Sequence, residues 1–164
     1  MGPAPSPPLT RGDVLGPASA TVLAAGAELT ALVDRLVRRE GGVTLTQYSV
    51  MGVLEGAGRP VEPREIAGTL GLGSGHLTEV LAGLERAGLA ARERHGGDGR
   101  RRLVSLTPEG ARRLEWLRRL IAAAEERILD QALAPGEQGT LVSLLGRLRE
   151  AIARTPFPPV RDGP

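Results

Sequence analysis

The sequence predicts a mainly α-helical chain with one small β-hairpin, and three observations predict it. Leu, Ala, Arg and Glu are abundant while aromatic residues make up only 2%, a composition suited to helices packing on helices. Apolar residues recur at three- and four-residue spacing over most of the chain, and the runs end at glycines. The one departure lies between Leu89 and Leu106, where two strand-like runs flank Gly96-Gly97-Asp98-Gly99. At 164 residues the chain is one domain by size, or one compact unit with an accessory dimerisation element.

The elements follow in order. Residues 1–17 (MGPAPSPPLTRGDVLGP) and 156–164 are rich in Pro and Gly, cannot bury a core, and are read as disordered tails around a folded unit at 18–155. A first helix covers 18–40 with Val22, Leu29, Leu32, Val33, Leu36 and Val37 at helical spacing, and Gly41-Gly42 ends it. Thr46 is expected to cap a second helix through Val50, Met51 and Leu54, which stops at Gly56-Ala57-Gly58-Arg59-Pro60. A short third helix starts at Pro63 and buries Ile66, Ala67 and Leu70. After the turn LGLGS a fourth runs from about Gly75 to Ala87, burying Leu77, Val80, Leu81 and Leu84, with Ser74 placed to cap it. Two short amphipathic helices across such a turn make a helix-turn-helix. Leu89–His95 and Arg100–Leu106 then pair as a hairpin. A hairpin directly after a helix-turn-helix makes a winged helix, here residues 44–106 with the wing at 89–106.

Thr107-Pro108 opens a long helix, with Thr as cap and Pro at the first helical position, where its missing N–H costs nothing. Leu114, Leu117, Ile121, Ala124 and Ile128 advance by alternating steps of three and four, a coiled-coil-like seam. Pro135-Gly136 breaks it, and a last helix carries Leu141, Leu144, Leu145, Leu148 and Ile152. A winged domain is too small to need this much apolar helix. The expectation is an intertwined homodimer in which 18–40 and 107–155 are dimerisation helices. Its seam of Leu117, Ile121, Ile128, Leu144 and Leu148 would lie between or near the subunits.

Composition also excludes. Cysteine is absent, which removes a disulfide framework, a thiolate zinc site and a thiol redox sensor together. His76 and His95 are the only imidazoles, so no metal or cofactor is expected. No thiol and no Ser/His/Asp set on strand–turn–helix elements is present to make an enzyme. No cationic, apolar leader and no bilayer-length apolar run is found, so a cytoplasmic protein without a membrane partner is expected. The formal charge is +2 and all 21 cations are arginine. Residues 90–107 hold Arg92, Arg94, Arg100, Arg101 and Arg102 against Glu93 and Asp98, a net +3. Residues 41–89 hold three arginines against five glutamates, a net −2. A local positive patch in an otherwise balanced chain is the footprint of a polyanion partner.

The string LERAGLAARERHGGDGRRRLVSLTPEG resembles the signature of the MarR (multiple antibiotic resistance regulator) family of winged-helix transcription factors. The matching parts are Leu84-Glu85, Gly88-Leu89, Arg92, the wing Asp98-x-Arg100, and Leu106-Thr107 with Gly110. LTQYSVMGVL and REIAGTLGL resemble the family's second and third helices, and the resemblance spans about Ser19 to Ala153. It implies a homodimer built from the first helix and the last two. It also implies a recognition helix in the major groove of a pseudo-palindromic double-stranded DNA operator, and a wing along the adjacent minor groove. It further implies a repressor of a neighbouring operon or its own gene, released by a small, often aromatic acid effector. The aspartate matching Asp98 orients the arginine matching Arg100. Glu79 departs from the pattern, since the matching position is often Arg or another donor.

The residues expected to meet DNA are therefore Ser74, Gly75, His76, Thr78 and Glu79 on the fourth helix and Arg94, Asp98, Arg100, Arg101 and Arg102 on the wing. Arg100 suits a narrow minor groove, where the negative potential is enhanced, and Arg101 and Arg102 suit phosphates. His76 and Thr78 suit a base edge or a phosphate, or His76 is simply exposed. An acid at 79 is repelled by phosphate unless it accepts from a cytosine amino group. Tyr48, Met51 and Trp116 either line an effector cleft or pack the core. A second reading keeps the scaffold but weakens the DNA face, giving a dimeric module that works through a protein partner.

The wing supplies the first prediction. Arg100→Ala should cost on the order of 1–3 kcal/mol of DNA binding and weaken A·T preference under the wing. Arg101→Ala should weaken all sequences equally and lower the salt slope by about one counterion. Asp98→Ala separates two arguments: simple charge says that binding tightens, and orientation of Arg100 says that it weakens. Titration of duplex at two salt concentrations reads the sign. Weaker binding is expected.

Overall fold

The computed structural model describes residues 16–94 and 102–156. Its elements are α1 (Pro17–Gly41), α2 (Leu45–Ala57), α3 (Pro63–Leu70), α4 (Ser74–Arg86), β1 (Ala90–Arg94), β2 (Arg102–Leu106), α5 (Pro108–Ala132) and α6 (Glu137–Arg154). They form two compact units, one ending at Ile121 and the other starting at Ala122. The two sequence-defined tails, apart from Gly16, Pro17 and Pro156, and the wing tip at 95–101 lie outside the described residues.

The first unit is organised around one apolar core. Val37 of α1, Val50 and Met51 of α2, Ile66 of α3, Leu81 and Leu84 of α4, Val104 of β2 and Leu114 and Leu117 of α5 are all fully or nearly fully buried. Each helix contributes one stripe, as its periodicity predicts. The helix ends explain the boundaries. Gly42 takes φ +66, a left-handed conformation that needs glycine; its N–H donates to the Arg38 carbonyl at 3.1 Å and the Val43 N–H to the Val37 carbonyl at 3.3 Å. Pro63 opens α3, where the Glu62 N–H donates to Glu65 Oε1 at 3.2 Å.

Two caps differ from the sequence expectation. Thr44, not Thr46, caps α2: its hydroxyl accepts from Gln47 N–H at 3.1 Å, and its own N–H donates to Gln47 Oε1 at 2.8 Å. The reason is the Gln three residues on, which completes a reciprocal box only with Thr44. At α4 the cap is Gly73 and no side chain serves it; Ser74 is already inside the helix, and its carbonyl accepts the Thr78 hydroxyl.

The strands pair antiparallel from Ala90↔Leu106 to Arg94↔Arg102. Val61, between α2 and α3, exchanges two backbone hydrogen bonds with Val104, each 2.8 Å. That bridge fixes the α2–α3 connection to the inner strand of the wing. The junction with α5 is tighter. Gly88 takes φ +70, and its carbonyl accepts the Thr107 hydroxyl at 2.7 Å. Thr107 N–H donates to the Leu89 carbonyl at 3.1 Å, and Thr107 Oγ1 accepts from Gly110 N–H at 3.0 Å. The expected Thr107 cap is therefore present, and it also binds the end of the α4–β1 turn.

The first three positions of the seam are settled within one chain: Leu114 and Leu117 are fully buried and Ile121 is 9% exposed, because all three pack into the winged unit's core. They do not depend on a partner for burial. The second unit differs, since α6 buries no residue at all. Val142 is 72% and Ile152 66% exposed. Glu137 Oε2 accepts from Ala134 N–H at 2.7 Å, which ties the Pro135-Gly136 break. Among the described residues no helix is long and apolar enough to cross a membrane.

A Cβ at position 110 would fall against the Leu89 carbonyl oxygen and within 2.9 Å of Leu106 Cδ1. Gly110→Ala should therefore destabilise the fold by about 1–3 kcal/mol, seen as a lower denaturation midpoint. Gly68→Ala, on α3 with nothing near the added atom, should instead stabilise by about 0.5–1 kcal/mol. Equal effects at the two sites would contradict the junction argument.

Candidate nucleic-acid interface

The α4 helix offers one face to the core and the other to solvent. Leu77, Val80, Leu81 and Leu84 are buried, while Ser74, Gly75, His76, Thr78 and Glu79 are all exposed. The structure thus brings the five expected α4 residues together on one surface. Without a capping side chain, the first N–H groups of α4 are open at the positive end of the helix dipole. Phosphate oxygens are natural partners for such groups.

The wing is fixed to this helix by charge. Arg92 on β1 pairs with Glu85 on α4, Nε to Oε1 at 2.5 Å, with side-chain exposures of 25% and 31%. Both residues belong to the sequence signature, but only the structure pairs them. The strand register sets Arg94 directly across from Arg102 at the distal end of the ladder, and Arg102 is exposed. Asp98, Arg100 and Arg101 lie outside the described residues.

The negative balance of residues 41–89 is largely cancelled by pairing. Arg118 of α5 binds Glu55, Arg64 binds Glu62 at 2.6 Å, Arg59 binds Glu65 at 2.7 Å, and Arg92 binds Glu85. The Arg59 hydrogen bond holds the Glu65 carboxyl below its ordinary range. Arg118 is pushed up by its hydrogen bond to Glu55, with smaller contributions from nearby Tyr48 and Glu115. Of the five glutamates only Glu79 has no partner among the described residues.

Behind the interface, Asp34 of α1 accepts from Arg38 Nε at 2.6 Å and from Leu45 N–H at 2.9 Å. The Arg38 bond first, then the Leu45 bond, holds its carboxyl below the usual range. Arg113 donates to the Gly41 carbonyl at 2.8 Å, closing the end of α1. These long-range arginine contacts were not readable from spacing. The effector candidates separate. Met51 is fully buried and belongs to the core, Tyr48 is half-buried against that core, and Trp116 is 38% exposed on α5. Arg118, the arginine whose charge feels Tyr48, is already engaged by Glu55. Among the described residues no three His, Cys, Asp or Glu side chains group as a metal site.

Residues 41–101 match the model of the MarR family. Comparison with curated proteins gave no match. Among solved structures, the PcaV transcriptional regulator of Streptomyces coelicolor is 29% identical with a TM-score of 0.65, over 80% of this chain and 97% of its own. Wild-type MarR of E. coli in its apo form is 25% identical with a TM-score of 0.71, over 82% of this chain and 98% of its own. A variant of S. aureus MepR bound to an oligodeoxyribonucleotide shares the fold at 20% identity, TM-score 0.60, over 82% of this chain and 97% of its own.

The Glu85–Arg92 pair is testable by a double-mutant cycle. Arg92→Gln should cost about 1–3 kcal/mol of stability, because a part-buried carboxylate loses its cation. Adding Glu85→Gln should recover much of that loss. Strictly additive effects in denaturation would show that the two side chains do not interact.

Proposed function

We propose that this chain, a MarR-family winged-helix transcription regulator and not an enzyme, acts as a homodimer on a pseudo-palindromic duplex operator. In this reading α4 enters the major groove and the wing follows the adjacent minor groove. One observation carries it: the exposed face of α4, with an uncapped N-terminus, lies beside a wing that is held to it by Glu85–Arg92 and rich in arginine. MepR, whose fold this chain shares, has been crystallised with an oligodeoxyribonucleotide, which supports the same partner here.

A second copy of the chain accounts for the apolar surface that one copy leaves open. On α6, Leu144, Leu145 and Leu148 are 53%, 43% and 42% exposed; on α1, Val22, Leu23 and Leu29 are 40%, 51% and 45% exposed. Contiguous apolar faces of this kind mark association sites. The regulator acts as a repressor of its own or a neighbouring gene and is released by a small acid, with Tyr48 and Trp116 as contacts. Met51 has no part in that site, being sealed in the core. The carboxylate of Glu79, without a partner among the described residues, favours one other reading, in which the dimer works through a protein partner.

One titration tests dimer and DNA together. Two recognition helices held rigidly should require half-sites about one helical turn apart, roughly 10 bp, so that inserting about 5 bp nearly abolishes binding. Leu148→Asp should dissociate the dimer in sedimentation and leave only weak binding that no longer depends on the spacing. Unchanged affinity of the wild-type protein after the insertion would contradict a rigid pair. No duplex binding at all would favour the protein-partner reading.

A further inference from the structure

We propose that Glu79 selects cytosine at one base pair of each half-site, an inference that rests on the DNA-binding reading above. Gly75, Glu79, Ala82 and Arg86 fall on one stripe of α4, spaced by steps of four, three and four, directly opposite the buried Leu77, Val80, Leu81 and Leu84. When the helix docks on a groove with its buried side turned away, this stripe faces the bases. Gly75 has no side chain and Ala82 only a methyl, so the backbone can approach closely on both sides of Glu79. The carboxylate is then the functional group that reaches the base edges at the middle of the helix.

Among the described residues nothing neutralises it. Its helix neighbours three and four residues away are Gly75, His76, Ala82 and Gly83, none an arginine. The other four glutamates of the helix-turn-helix region each hold an arginine, and Glu79 holds none among the described residues. A bare carboxylate between two phosphate backbones repels the duplex unless a base donates to it. Guanine presents two acceptors in the major groove, and thymine an acceptor and a methyl. Adenine offers its amino group only beside the N7 acceptor. Cytosine alone presents a donor without an adjacent acceptor on the same base, and an acidic side chain accepting from cytosine N4 is an established pairing. Repulsion by the other three bases makes the selection sharper than the one hydrogen bond would.

The experiment selects duplexes from a library with about one and a half turns of randomised sequence on the full-length protein. Single base-pair variants of the winner are then titrated with wild type, Glu79→Gln and Glu79→Ala. Wild type should prefer cytosine at one symmetry-related position per half-site by about ten- to a hundredfold. Glu79→Ala should flatten that position and no other, and Glu79→Gln should move the preference toward adenine. The proposal is overturned if both variants keep the wild-type base preference, or if both bind every duplex more tightly by one common factor, which would make Glu79 a diffuse electrostatic brake. A folded wild-type dimer that selects no duplex would instead overturn the DNA-binding reading, and this proposal with it. Circular dichroism on the exposed-site variants confirms that they fold.

Discussion

The Leu89 carbonyl oxygen occupies the space that any side chain at position 110 would need, so the start of α5 can lie against the α4–β1 turn only because residue 110 is glycine. Thr107 closes the same contact from the other side, donating its hydroxyl to Gly88 and its N–H to Leu89 while accepting from Gly110. The end of α4, the start of β1 and the start of α5 all meet at this point. Because interiors are close-packed and yield little, a junction of backbone against backbone transmits orientation with small loss. The wing is further held to α4 by Glu85–Arg92 and to the α2–α3 connection by the Val61–Val104 bridge.

Electrostatics on this frame is a matter of local pairing rather than net charge. The helix-turn-helix region is acidic in sequence, yet arginines from β1 and α5 reach back to Glu85 and Glu55, and two more lie within the region itself. The more exposed of these pairs, Arg59–Glu65 and Arg64–Glu62, add little stability each. Their larger effect is on the field outside the protein, since they remove negative charge that would oppose a polyanion at short range. What remains on the face of α4 is one acid with no partner among the described residues, Glu79, set among small and neutral side chains.

The second unit follows a different economy. The winged unit closes a core of its own, including Leu117 and Ile121, whereas α6 leaves every apolar residue at least partly open. Stability of such helices comes chiefly from packing an amphipathic face rather than from propensity. The leucines of α6 find no such packing within their own chain.

How much of this was legible in the residues depends on the range of the interaction concerned. Periodicity placed all six helices and the hairpin, and the stops at Gly42 and Gly88 were readable because left-handed turns demand glycine. The solvent face of α4 was readable too, since it is the complement of a buried stripe. Caps were less so: Thr44 and Thr46 both suit a helix start, and only the reciprocal bonds with Gln47 decide between them. Spacing alone could not assign Met51, Leu117 or Ile121, because an apolar residue at a helical interval looks the same whether it faces a cleft, a partner or the core. The sequence alone determined the local order of elements, the arginine-rich wing and the odd acid at 79. Only the tertiary structure decided which arginine neutralises which glutamate, that Val61 joins the wing, and that Gly110 is needed for a contact made across the chain. Those contacts join residues that are distant along the chain, and neither local conformational preference nor periodicity carries information about them.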